Sequence, residues 1–84
     1  MEKKKISVII PCYKGERYIA RALDQVFSQG YENLEVIVII DGLVDNAREI
    51  VSQYPARVIV FEENRGVSAA RNAGIKIAEG EYIH

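Results

Sequence analysis

The sequence predicts an α/β fold: a Rossmann-like, three-layer α/β/α domain with a mostly parallel sheet in the order β-α-β-α-β-α-β. Three observations predict it. Short, nearly continuous apolar runs rich in β-branched residues recur along the chain, as expected of strands buried on both faces. Between them lie segments whose apolar residues follow helical spacing. Glycine, proline or an Asp-Gly pair marks most of the junctions. Strands alternating with helices in this way build a parallel sheet with crossover connections.

After three lysines, Ile6-Ser7-Val8-Ile9-Ile10 forms the first strand, with Pro11 expected to stop it. From Gly15 the spacing turns helical, with Ile19, Ala22, Leu23, Val26 and Phe27 on one face, and Gly30 ends the helix after Gln29. Leu34-Glu35-Val36-Ile37-Val38-Ile39-Ile40 is the most apolar segment, a central strand ending at Asp41-Gly42. Asp45 reads as the N-cap of a helix carrying Ala47, Ile50, Val51 and Tyr54 and halted by Pro55. A third strand spans Arg57 to Phe61. Asn64-Arg65-Gly66 is a loop, and an alanine-rich helix runs from Val67 to Ala78, closed by Gly80. Glu81-Tyr82-Ile83-His84 begins a fourth strand. With no repeat, low-complexity tract or linker, residues 1–84 read as a single domain.

Composition narrows the function classes. The 84 residues carry 11 Lys plus Arg against 12 Asp plus Glu, a net charge of -1, which argues against a general nucleic-acid surface. The apolar stretch from Val36 to Ile40 is far too short to span a bilayer, and Met1-Glu2 before the lysines lacks a signal-like cleavage pattern, so the chain reads as cytoplasmic. Cys12 is the only cysteine and His84 the only histidine, so neither an intrachain disulfide nor a cysteine-based metal cage is expected.

In parallel sheets ligands bind beyond the carboxyl ends of the strands, which directs attention to residues 11–15, residues 41–45 and the edge near His84. Tyr13 either offers a ring on which a planar base stacks or simply covers the sheet end, with Cys12 filling a gap and Lys14 solvated. Asp41 either accepts hydrogen bonds from a nucleobase imide or ribose hydroxyl, or caps the turn with Gly42. Arg71 either pairs with a diphosphate or with Asp41, or lies solvated on its helix. Gly66 and Gly74 make no Gly-x-Gly-x-x-Gly fingerprint, and no Walker-type phosphate loop exists.

Several separate segments nevertheless agree in order and spacing with a known pattern: Val8-Ile9-Ile10-Pro11-Cys12-Tyr13-Lys14-Gly15 with Tyr18-Ile19, Ser28-Gln29, Leu34-Glu35-Val36-Ile37-Val38, Asp41-Gly42, Asn64-Arg65-Gly66-Val67-Ser68-Ala69-Ala70-Arg71-Asn72-Ala73-Gly74, and Ala78-Glu79-Gly80-Glu81-Tyr82-Ile83. From Ile6 to the last residue the chain resembles the amino-terminal half of a family-2 glycosyltransferase of the GT-A fold. The resemblance implies a partner, the nucleoside diphosphate of a UDP- or GDP-sugar. By it Pro11 and Tyr13 flank the base, Asp41 bonds the base or ribose, and Asn64 and Arg71 lie near the base and diphosphate. It also implies inversion at the anomeric carbon, with a metal neutralising the departing diphosphate and a later carboxylate as general base.

Two departures qualify that expectation. The family's two consecutive Asp residues and following Ser-Thr-Asp-like run read here as Ile40-Asp41-Gly42-Leu43-Val44-Asp45, which makes the loop drier. The chain also stops at His84, before the family's Asp-x-Asp metal motif, so it reads as a truncated GT-A fold. No catalytic residue and no metal ligand is therefore assigned within it, and Mg or Mn is expected only in a full-length parent. Two other classes stay open. One is a small flavodoxin-like interaction module with Asp41 as phosphoacceptor, against which stands the lack of carboxylates in Pro11-Cys12-Tyr13. The other is a structural fragment that self-associates through an exposed sheet edge.

Overall fold

In a computed structural model, which describes residues 4–83, the chain runs β1 (Ile6–Cys12), α1 (Ile19–Phe27), β2 (Leu34–Asp41), α2 (Ala47–Val51), β3 (Arg57–Phe61), α3 (Val67–Ile77), β4 (Glu81–Ile83). The strands form one sheet in the order β3-β2-β1-β4, every pairing parallel. The expected alternation and the α/β class are therefore present. The expected strand end at His84 lies outside the described residues.

The sheet divides the core in two because successive side chains of a strand point to opposite faces. On one face Val36, Val38, Ile40 and Cys12 pack with Ile19 and Leu23 of α1 and Ala47 and Val51 of α2. On the other, Ile9, Ile37 and Ile39 pack with Ala70 of α3 and with Phe61. Val36 to Ile40 are all buried, so β2 is shielded by helices on both faces, which is why its sequence is apolar without alternation. Each of these aliphatic side chains stabilises the fold by roughly 1.5–3 kcal/mol on burial. No helix among the described residues is long and apolar enough to cross a membrane.

Four local expectations need correction. Pro11 does not stop β1, which continues to Cys12. The Ile6 N–H donates to Asn33 on the β2 side, and the Lys5 carbonyl accepts the Glu81 N–H on the β4 side. Backbone groups face alternate sides along a strand, so the Pro11 nitrogen faces β4, whose pairing with β1 ends at Val8↔Ile83. The missing donor costs no ladder bond.

The first helix begins at Ile19 rather than near Gly15, because the Gly15 carbonyl takes the N–H groups of Tyr18 and Ile19 at 3.0 and 2.8 Å in a tight turn. The second is cut to five residues, Ala47–Val51, and turns carry the chain on to Tyr54. Its formal N-cap is Asn46, whose side chain makes no capping bond. Asp45 still supplies the capping oxygen, because its Oδ1 accepts the Ala47 N–H at 2.9 Å. Its Oδ2 accepts the Glu16 N–H at 3.1 Å while Glu16 accepts the Asn46 N–H at 3.2 Å, so the β1–α1 and β2–α2 connections are tied together.

At the amino end of the sheet a buried carboxylate holds β4 in place. Glu35 accepts the Ser7 hydroxyl at 2.6 Å, the Glu79 N–H at 3.0 Å and the half-exposed Arg57 guanidinium at 3.1 Å. Ser7 in turn accepts the Gly80 N–H at 3.0 Å. This network sits far from the strand ends where ligands bind and serves the fold.

Candidate functional site

The carboxyl ends of β1 and β2 and the β3–α3 connection surround a pocket of about 330 Å³, lined by Pro11, Cys12, Tyr13, Tyr18, Asp41, Asn64, Gly66 and Val67. Its volume lies at the small end of the usual range for ligand sites. Each element delivers its residues for a local reason. β1 carries Pro11 and Cys12 to its last position, and the chain then leaves the sheet, exposing Tyr13. β2 ends on Asp41, opposite Phe61 in register. The next two N–H groups continue beside β3, Gly42 donating to Phe61 at 2.9 Å and Leu43 to Glu62 at 3.2 Å. Gly42 makes this departure at φ 109, a backbone state that side-chain-bearing residues rarely adopt.

α3 packs across β2 and β1, so the loop leading into it passes over the end of β2. There the carboxylate of Asp41, only 2% exposed, holds the loop. Its Oδ1 accepts the Arg65 N–H at 2.6 Å, and its Oδ2 accepts both the Gly66 N–H at 3.0 Å and the Asn64 amide at 2.9 Å. Of the turn-capping and ligand-binding roles considered for Asp41, the first is not what the structure shows, because the N–H groups of Gly42 and Leu43 go to the carbonyls of Phe61 and Glu62 instead. Nor does Asp41 pair with Arg71. A carboxylate offers about four acceptor directions, so with three bonds made, one remains, on Oδ1.

On the opposite wall Cys12 is buried and Tyr18 is half exposed. Burial pushes the Cys12 thiol up, outweighing the downward pull of the hydroxyl that Tyr18 directs at it. The sulfur is therefore a protonated, inert filler at neutral pH. Burial likewise raises the Tyr18 hydroxyl, helped by its contact with Cys12. Gly15 lies against both: an added Cβ would strike the Cys12 sulfur and come within 3.0 Å of the Tyr18 ring.

Of the residues expected at a site, Pro11, Tyr13, Asp41 and Asn64 are brought together. Arg71 is not; it is exposed one turn into α3 and does not line the pocket. The cation at this loop is Arg65, whose guanidinium lies 4.3 Å over the Phe61 ring. The pocket also takes in Tyr18, Gly66 and Val67, which sequence reasoning did not assign to it. The helix start placed at Gly15 concealed Tyr18, since a helical Tyr18 reads as a surface residue. Ile40, expected to dry the loop, instead faces α1 and α2 in the core, while Leu43 and Val44 are exposed and outside the lining. Among the described residues no group of three or more His, Cys, Asp or Glu side chains is placed to hold a metal ion.

Comparison with known proteins gives these positions a context. The sequence pattern described as glycosyl transferase family 2 matches residues 7–84. A glycosyltransferase of Streptococcus pneumoniae, GlyA, is 40% identical over 83 residues, covering 94% of this chain and 12% of its own length. The crystal structure of residues 1–349 of Staphylococcus aureus TarS in complex with UDP superposes with a TM-score of 0.85 at 34% identity, over 94% of this chain and 26% of that one. The mannosyltransferase PcManGT of Pyrobaculum calidifontis, in complex with GDP-Man and Mn2+, gives a TM-score of 0.81 at 26% identity, over 95% of this chain and 26% of its own. The chain thus spans about a quarter or less of the length of these relatives. The shared architecture is the GT-A fold.

Proposed function

This chain belongs to glycosyl transferase family 2, and from that premise we propose that it is the nucleotide-sugar-binding portion of an inverting transferase that moves a sugar from a UDP- or GDP-sugar to a polysaccharide, lipid or other glycan acceptor. One observation carries this reading: a small pocket at the ends of β1 and β2 sets an exposed tyrosine beside a buried carboxylate that keeps one free acceptor direction. A nucleoside needs both features, a ring face to stack on and an acceptor for an imide or hydroxyl proton. Relatives crystallised with UDP and with GDP-Man support the choice of ligand.

In this reading Tyr13 stacks on the base, Pro11 limits its movement, and Asp41 accepts one hydrogen bond from base or ribose. The metal a full-length parent employs would neutralise the diphosphate, but the described residues hold no ligand cluster for it. Their contribution is to bind and orient the nucleotide.

Calorimetric titration of the 84-residue chain with UDP, with and without manganese, tests this, alongside a Tyr13→Ala variant. Tyr13 is 44% exposed, so its truncation leaves the core intact. Loss of base stacking should weaken binding by about 1–3 kcal/mol, and manganese should change little. If pyrophosphate binds as well as UDP or GDP, the site does not recognise a nucleoside and the reading fails.

A further inference from the structure

Resting on the nucleotide reading of the pocket, we infer that Asn64 sets its base preference, reserving it for uracil over guanine by occupying one oxygen of Asp41. The two oxygens of this carboxylate are not equivalent. Oδ2 accepts the Asn64 amide at 2.9 Å and the Gly66 N–H at 3.0 Å, which fills both of its lone-pair directions. Among the described residues Oδ1 accepts only the Arg65 N–H, at 2.6 Å, which leaves one direction free. The Asn64 amide also reaches the Asp41 carbonyl at 3.4 Å, which holds it in this orientation.

A base approaching Asp41 therefore meets a single free acceptor direction on that carboxylate. Uracil presents one imide N–H between two carbonyl oxygens, and one acceptor satisfies it. Guanine presents two adjacent donors on the same edge, the ring N–H and the exocyclic amine, and a carboxylate receives both only by offering both oxygens. With Oδ2 filled, the second donor of guanine finds no oxygen of Asp41 to receive it, a loss we expect to amount to about tenfold in affinity. Asn64 acts through Asp41 and is a positioning residue. Its role is distinct from that of Gly66, which donates through its backbone N–H.

The test compares UDP, GDP and N3-methyl-UDP by calorimetry on the unaltered chain and on Asn64→Ala. The unaltered chain should bind UDP about tenfold or more tighter than GDP, and N3-methylation should abolish that advantage. In Asn64→Ala an Oδ2 lone pair is released, so GDP should gain relative to UDP and the gap should narrow to roughly threefold or less. A purely structural role for Asn64 would weaken both nucleotides alike and leave their ratio unchanged, which would overturn the assignment. GDP binding as tightly as UDP to the unaltered chain would overturn the base preference while leaving the nucleotide reading standing. N3-methyl-UDP binding as well as UDP would do the same without relying on any variant. If neither nucleotide binds, the nucleotide reading itself falls and this inference with it.

Discussion

Replacing Glu35 by glutamine keeps the size of the side chain and one acceptor oxygen but removes its charge. The bonds from the Glu79 N–H and then the Ser7 hydroxyl, outweighing burial and aided by the Arg57 guanidinium, hold this carboxyl down at about 2, against an ordinary value of 4.5. Because the folded value lies below the unfolded one, the stabilisation is fully present above about pH 4.5 and is lost as the pH falls toward 2. That gap corresponds to roughly 3 kcal/mol at neutral pH. We expect somewhat less, about 2 kcal/mol, because the Arg57 side chain is 49% exposed and water screens its share. In a domain whose total stability is on the order of 5–15 kcal/mol, this is a large fraction. Urea denaturation of Glu35→Gln should therefore show a midpoint about 1–2 M lower at pH 7 with an unchanged slope. The difference from the parent should shrink to about a quarter of its neutral value by about pH 2.5 and approach zero only below about pH 2, where the parent's own folded-state carboxyl is largely protonated. A deficit that stays constant from pH 7 to pH 2.5 would refute the charge argument, and no deficit at pH 7 would refute the network's contribution altogether.

Two further substitutions probe the packing and the loop ties. Gly74→Ala should lower stability by about 1–2 kcal/mol in a thermal melt, although alanine is the better helix former, because the new Cβ meets Ile9 at 2.7 Å and Ile39 at 3.0 Å beneath α3. Asp45→Ala should cost about 1 kcal/mol and speed hydrogen exchange at the Glu16 and Ala47 amides, the two groups its carboxylate accepts, while exchange in β2 follows only the change in global stability.

Much of the architecture was legible from local pattern. Runs such as Leu34 to Ile40 are apolar without alternation, and only a strand covered on both faces makes use of that composition. That Asp41 would lie at the rim of the sheet was legible because it is the carboxylate that ends such a run, and the structure places it in the lining of the pocket there. The local errors came from rules that depend on a neighbour. Pro11 breaks a strand only where a partner needs its N–H, and β4 pairs with β1 no further than Val8. The helix start was misplaced because the Gly15 carbonyl spends its bonding on a turn before the helix begins.

The sequence by itself determined the order of elements, the apolar faces that drive their packing, and the presence of an acidic residue at the end of β2, since each depends on residues near in the chain. The tertiary structure decided what that acid touches. Asp41 and the loop of Asn64, Arg65 and Gly66 are more than twenty residues apart, and only the crossing of α3 over β2 and β1 closes that distance. The same crossing leaves Arg71 exposed and outside the pocket, although its sequence separation from Asn64 is small. Hydrogen-bond occupancy, and with it the chemistry left for a ligand, is a property of directions in space, which spacing along a chain does not encode.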